Sequence, residues 1–236
     1  MKAYWAIIFL ICLAVGVFVI LPAVAPTVTT NEMIKTSYVT AGDTFFLMNQ
    51  SEIALPFYDN ALQMNTTDPV ILKKKGEVLI KIGRISDANQ VYSQVLTQNG
   101  NDTVALVRFG DVLMQQGDFK GALPYYQTAL KNDPGNAVVW VKQGDAQLLM
   151  SVADSQNIHA MAKNLSQQPG SANYQPASND QLVTMESYQA AMKSYQKAIE
   201  LDPKLSITVS TRVLGATQNQ VNSYSDFFKD VQSSKG

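Results

Sequence analysis

The chain has 236 residues, 46% of them hydrophobic and only 16% charged, with a net charge of −1. That length suits one ordinary domain or one short repeat array, and the charge content is low beside the roughly 25% of common soluble domains. The near-neutral balance and the absence of a basic run exclude a nucleic-acid footprint, and a single cysteine (Cys12) and a single histidine (His159) exclude an intramolecular disulfide and a cysteine or polyhistidine metal site.

Residues Ala3 to Ala25 carry no charge, and Ala3–Leu21 is almost wholly apolar. About 20 such residues in a helix span the hydrocarbon core of a bilayer. Lys2 precedes the run and the next basic residue is Lys35, an asymmetry that keeps the N-terminus inside and sends the rest outward. Ala23-Val24-Ala25 supplies a small-x-small cleavage site, but Pro26 follows it and the run is long for a signal peptide. The expectation is an uncleaved single-pass anchor over 1–25, with a cleaved signal and a secreted or periplasmic product as the alternative. Residues 26–34 read as a linker.

A period of 34 residues then governs the chain. Gly42, Gly76, Gly110 and Gly144 fall on it, followed in the first three units by Ala54, Ala88 and Ala122 and then by Tyr58, Tyr92 and Tyr126. Internal repeats of this length are units that bury an apolar face only by stacking. Tyr38 and Phe45, Leu72 and Leu79, and Leu106 and Leu113 flank the glycines on one helical face. The spacing predicts a pair of antiparallel helices per unit. Each glycine would sit at the crossing opposite the small alanine, and the tyrosine would fill the space beside it. Lys81-Ile82-Gly83-Arg84 and Gln116-Gly117-Asp118 read as turns between paired helices. Lys75, Gln143 and Gln147 stand where apolar residues would be expected.

These residues resemble the tetratricopeptide repeat family. The third unit carries the fullest set, with Gly110, Gly117, Ala122, Tyr126, Ala129 and Pro134, and the fourth adds Trp140 and Gly144. The resemblance implies an all-α fold, a right-handed superhelical solenoid of antiparallel helix pairs, over about residues 35–203. The four units are 35–68, 69–102, 103–136 and 137–203.

In the fourth unit the second-helix residues return late, as Ala191, Tyr195 and Asp202-Pro203, so 35 residues are inserted between the two helices, at about 152–186. Leu148, Val152, Ile158, Met161 and Leu165 keep a helical pattern, Gln168-Pro169-Gly170-Ser171 breaks it, and Ser178-Asn179-Asp180 reads as a new helix start. Two lengthened helices joined by a polar loop are expected, as a partner-binding arm or as an insertion tolerated at a loop tip. Residues 204–236 read as capping helices, of the kind solenoids need at an exposed end; Leu205, Val209 and Val213 would cover the last hairpin, and Phe227-Phe228 lies in a second stripe.

No nucleophile triad, phosphate-cradling Gly-Lys loop or acid–base pair is present, so no catalytic residue, metal or cofactor is expected. Asp43, Glu77, Asp111 and Asp145 recur at the period, which indicates architecture rather than acid–base catalysis. The resemblance implies a groove lined by the first helices. It would carry Val39, Asp43 and Phe46; Lys73, Glu77 and Ile80; Val107, Asp111 and Met114; and Val141, Asp145 and Leu148. One acid per unit on an apolar surface suggests an apolar or basic peptide as ligand. The expected function is a protein-binding scaffold outside the cytoplasmic membrane, or an assembly factor for envelope proteins. Asn49, Asn65, Asn101 and Asn164 head Asn-x-Ser/Thr sequons, where about two would arise by chance.

Overall fold

The computed structural model describes residues 30–166 and 178–216, and all the regular structure in them is helical. The chain forms two compact units, Met1–Asn99 and Gly100–Gly236. In the first, α1 (Thr30–Leu47) pairs with α2 (Ser51–Met64), α3 (Pro69–Lys81) packs on α2, and α4 (Ile85–Gln98) pairs with α3. In the second, α5 (Thr103–Gln115) pairs with α6 (Phe119–Asn132), and α7 (Ala137–Ser166) packs on α6 and pairs with α8 (Ser178–Leu201). A 3₁₀ turn, Pro203–Leu205, leads into α9, residues 206–216. Among the described residues no helix is long and apolar enough to cross a membrane. The expected anchor over 1–25, and the part of the expected capping helices beyond residue 216 with Phe227-Phe228, lie outside the described residues.

Helix starts follow from local chemistry. The Asp68 carboxylate accepts from the amides of Val70 and Ile71, with Pro69 as the first residue of α3. Asp102 and Asp118 cap α5 and α6 through Ala105 N and Gly121 N. Such caps stabilise a helix by about 1 kcal/mol each. Asn136 caps α7 through Val139 N, and the Trp140 indole donates to the Pro134 carbonyl at 2.9 Å, pinning the entry to that helix. The turns α3–α4 and α5–α6 need left-handed backbone, supplied by Gly83 (φ 77°) and Gly117 (φ 80°).

Two sequence expectations change. The linker expected over 26–34 is helical from Thr30, so α1 takes in its last five residues. The close approach at the ladder glycines is made by the tyrosine, not by the alanine. A Cβ on Gly42, Gly76, Gly110 or Gly144 would fall 2.6–2.9 Å from ring carbons of Tyr58, Tyr92, Tyr126 or Tyr195. Each ring packs directly against bare backbone. Ala54, Ala88, Ala122 and Ala191 are fully buried beside it.

The fourth hairpin is lengthened on both sides, α7 to 30 residues and α8 to 24. Its interior is unusually polar. Gln143 and Gln147, the two residues out of place in the apolar pattern, are buried and share Ser194: Gln143 Nε2 donates to its hydroxyl at 3.1 Å, and that hydroxyl donates to Gln147 Oε1 at 2.8 Å. Ser151, Ser155 and Ser187 are buried further along the same hairpin. At its other end, Val209 and Ala216 of α9 close the core around Val141, Tyr195 and Ala198, with Leu205 and Val213 packed against it.

Candidate functional site

Each first helix presents, one residue after its glycine, the acid expected to face the groove. These acids are engaged within the fold. Tyr58 donates to Asp43 Oδ1 at 2.7 Å, Tyr126 to Asp111 Oδ1 at 2.9 Å and Tyr195 to Asp145 Oδ1 at 2.8 Å. A cation from a later helix completes each set. Lys74 Nζ lies 2.8 Å from Asp43, Lys142 Nζ 2.7 Å from Asp111, and Arg212 of α9 pairs with Asp145. In the second hairpin the Tyr92 hydroxyl donates to the Lys73 carbonyl at 3.3 Å.

Glycine, tyrosine, acid and cation therefore form one unit. The missing side chain on the glycine admits the ring, the ring carries its hydroxyl to the next carboxylate, and the carboxylate holds the next helix. Burial is the main cause that pushes all three of these tyrosine hydroxyls far above their ordinary titration range. The adjacent carboxylate adds to it at Tyr58 and Tyr126. The cations were not among the sequence-derived site residues. For two of them the signal was present: Lys74 and Lys142 each stand two residues before a ladder glycine.

The remaining groove residues divide. Val141 and Leu148 are buried in the core of the lengthened hairpin, at 5% and 3% exposure, so they are removed from the open face. Val39, Lys73, Glu77, Ile80, Val107 and Met114 are half-buried. Phe46 is half-buried, with the Lys81 ammonium 4.6 Å above its ring. The open positions of the first helices lie elsewhere, at Val70 in α3 and at Val104 and Val138 in α5 and α7, each more than half exposed at the same repeat offset. Among the described residues no group of histidine, cysteine and acidic side chains is placed to hold a metal ion.

A glycine-crossed helical hairpin recurring at a fixed period defines a repeat protein of the helix–turn–helix class. Tetratricopeptide repeat models match residues 73–137, 107–149 and 182–205, and the chain carries tetratricopeptide repeats. Solved structures of MamA share the fold. "MamA 41-end from Desulfovibrio magneticus RS-1" is 17% identical, with a TM-score of 0.55 over 86% of this chain and 97% of that one. "MamA RS-1 ArsTM double mutant" is 18% identical, with a TM-score of 0.55 over 85% and 96%. "Crystal structure of MamA" is 15% identical, with a TM-score of 0.52 over 72% and 79%. No curated protein matches the chain.

Proposed function

We propose that the chain is a non-catalytic scaffold, held at the outer face of the cytoplasmic membrane by its N-terminal segment and binding a partner protein through the open positions of its first helices. The observation that carries this reading is the recurrence of an exposed valine at one offset of successive first helices, Val104 and Val138 in the second unit, on helices whose acids are already satisfied by the protein's own cations. A buried-face residue repeats because packing demands it; an exposed apolar one has no such reason, and repeat arrays bind partners on such faces. With the acids neutralised, the ligand that fits is an extended segment with apolar side chains rather than a basic one.

The test is photo-crosslinking in native membranes. A photoreactive residue at Val104 or Val138 should capture a partner, and one at the exposed Gln127 of α6 should not. A discrete adduct at the valines supports a scaffold, and a smear of many clients identifies an assembly factor. Equal capture from all three positions would remove the first-helix face from the function.

A further inference from the structure

The outer flank of α1 is free of charge along its whole length. Met33, Thr36, Ser37, Thr40, Thr44 and Leu47 recur at helical spacing, and all six are exposed. Leu47 is 85% exposed and Met33 45%. None of the four hydroxyls between them depends on water for its proton. Thr36, Ser37, Thr40 and Thr44 each donate to the carbonyl four residues back, at 2.8–2.9 Å. The charges of the helix are turned elsewhere. Lys35 pairs with Glu32 at 2.9 Å and reaches Asp68 at 3.7 Å, and Asp43 is held by Tyr58 and Lys74.

The chain before α1 indicates what covers this flank. Between Lys2 and Glu32 there is no charged residue, and the apolar run ends by Ala25, five residues before α1 begins at Thr30. Five residues reach at most about 18 Å when fully extended. The start of α1 is therefore confined close to the boundary of any bilayer that the run enters, where the headgroup layer is itself several ångströms thick. An 18-residue helix is about 27 Å long, so lying flat it keeps the whole uncharged flank within that layer.

We infer that α1 lies along the membrane surface, with Met33, Thr40, Thr44 and Leu47 against the lipid and the paired face carrying α2 away from it. The inference rests on the tethered reading given above. It gives the membrane a second contact, in which the first helix acts as the base of the array rather than as its free end.

The test uses the full chain with Cys12→Ser and a single cysteine at Thr40, or at Ser93 on α4 as a control, each carrying a nitroxide. The protein is reconstituted in mixed phosphatidylcholine and phosphatidylglycerol vesicles. Collision of the label with oxygen, which partitions into lipid, is compared with collision with a neutral nickel chelate, which stays in water. The oxygen-to-nickel ratio at Thr40 should exceed that at Ser93 several-fold. Equal ratios, in protein that floats with the vesicles after an alkaline wash, would overturn the flat-lying helix and leave the tether standing. Dipolar broadening at Thr40 that disappears on dilution with unlabelled protein would assign the flank to a second copy. Exclusion of both reagents without such broadening would assign it to the chain's own N-terminal segment. Either assignment overturns the inference. Protein that fails to float would remove the tether, and this proposal with it.

Discussion

A hydrogen atom at position 110 decides how close two helices come. Giving Gly110 a methyl group places it 2.6 Å from the Tyr126 ring. Gly110→Ala should destabilise by about 1–3 kcal/mol through overpacking, despite up to about 1 kcal/mol gained in helix propensity. The change is read as a lowered melting transition in far-UV circular dichroism. Tyr126→Phe keeps the ring and removes the bond to Asp111, a hydrogen bond to a charged group whose loss costs about 1.5–3 kcal/mol. Because Gly110 and the Tyr126 ring share one contact, Gly110→Ala combined with Tyr126→Ala, which removes the ring, should cost less than the sum of those two single changes. The tyrosines also set an alkaline limit. Their folded-state titration is raised, so the folded state holds protons that the unfolded state releases. Their contribution is complete below the unfolded tyrosine value near 10 and falls as pH rises above it. The slope is about 1.4 kcal/mol per pH unit for each tyrosine that must ionise on unfolding. Denaturant titrations at successive alkaline pH values should show it, with Tyr126→Phe giving a shallower decline.

At the scale of the element, the lengthened hairpin is held partly by polar contacts that a periodicity argument treats as errors. Ser194→Ala would leave Gln143 and Gln147 buried without their shared partner, at a cost of about 1–3 kcal/mol for each unsatisfied group. Replacing all three, with leucine at 143 and 147 and alanine at 194, should be far milder, because no polar group is then stranded. Thermal melting of the two variants checks the contrast. Hydrophobic period and glycine spacing made the helices and their pairing legible, because backbone packing repeats wherever the unit repeats. The polar seam was illegible because Gln and Ser signal burial only when their partner is known, and Ser194 lies 51 residues from Gln143. The same blindness affected the expected groove. An acid one residue after each glycine reads as surface until the tyrosine 15 residues later, or the lysine 31 residues later, is seen to reach it in the first and third hairpins. Val141 and Leu148 were assigned to that groove by offset, but α8 and α9 enclose them in this hairpin.

For the whole molecule, α9 is the element whose loss should have consequences beyond its length. It contributes Val209 and Ala216 to the core of the fourth hairpin and brings Arg212 to Asp145. A chain ending at Leu205 should lose hydrogen-exchange protection in α7 and α8 while protection of α2 is retained. Burial of the Val209 side chain alone accounts for about 1.5–3 kcal/mol. Unchanged protection in α8 would show that α9 contributes little to closing that end.

The acid–cation pairs also give the series a direction. Every such hairpin offers a carboxylate socket ahead of itself, and Lys74 and Lys142 are the plugs that later helices bring two residues before their glycines. At that offset α1 has Thr40, a plug with no charge. Its hairpin can receive a successor by this connection but has nothing to offer a predecessor. A copy of this hairpin grafted into the middle of an array would break the sequence of handshakes at one identifiable joint, and Thr40→Lys is the change that should restore it.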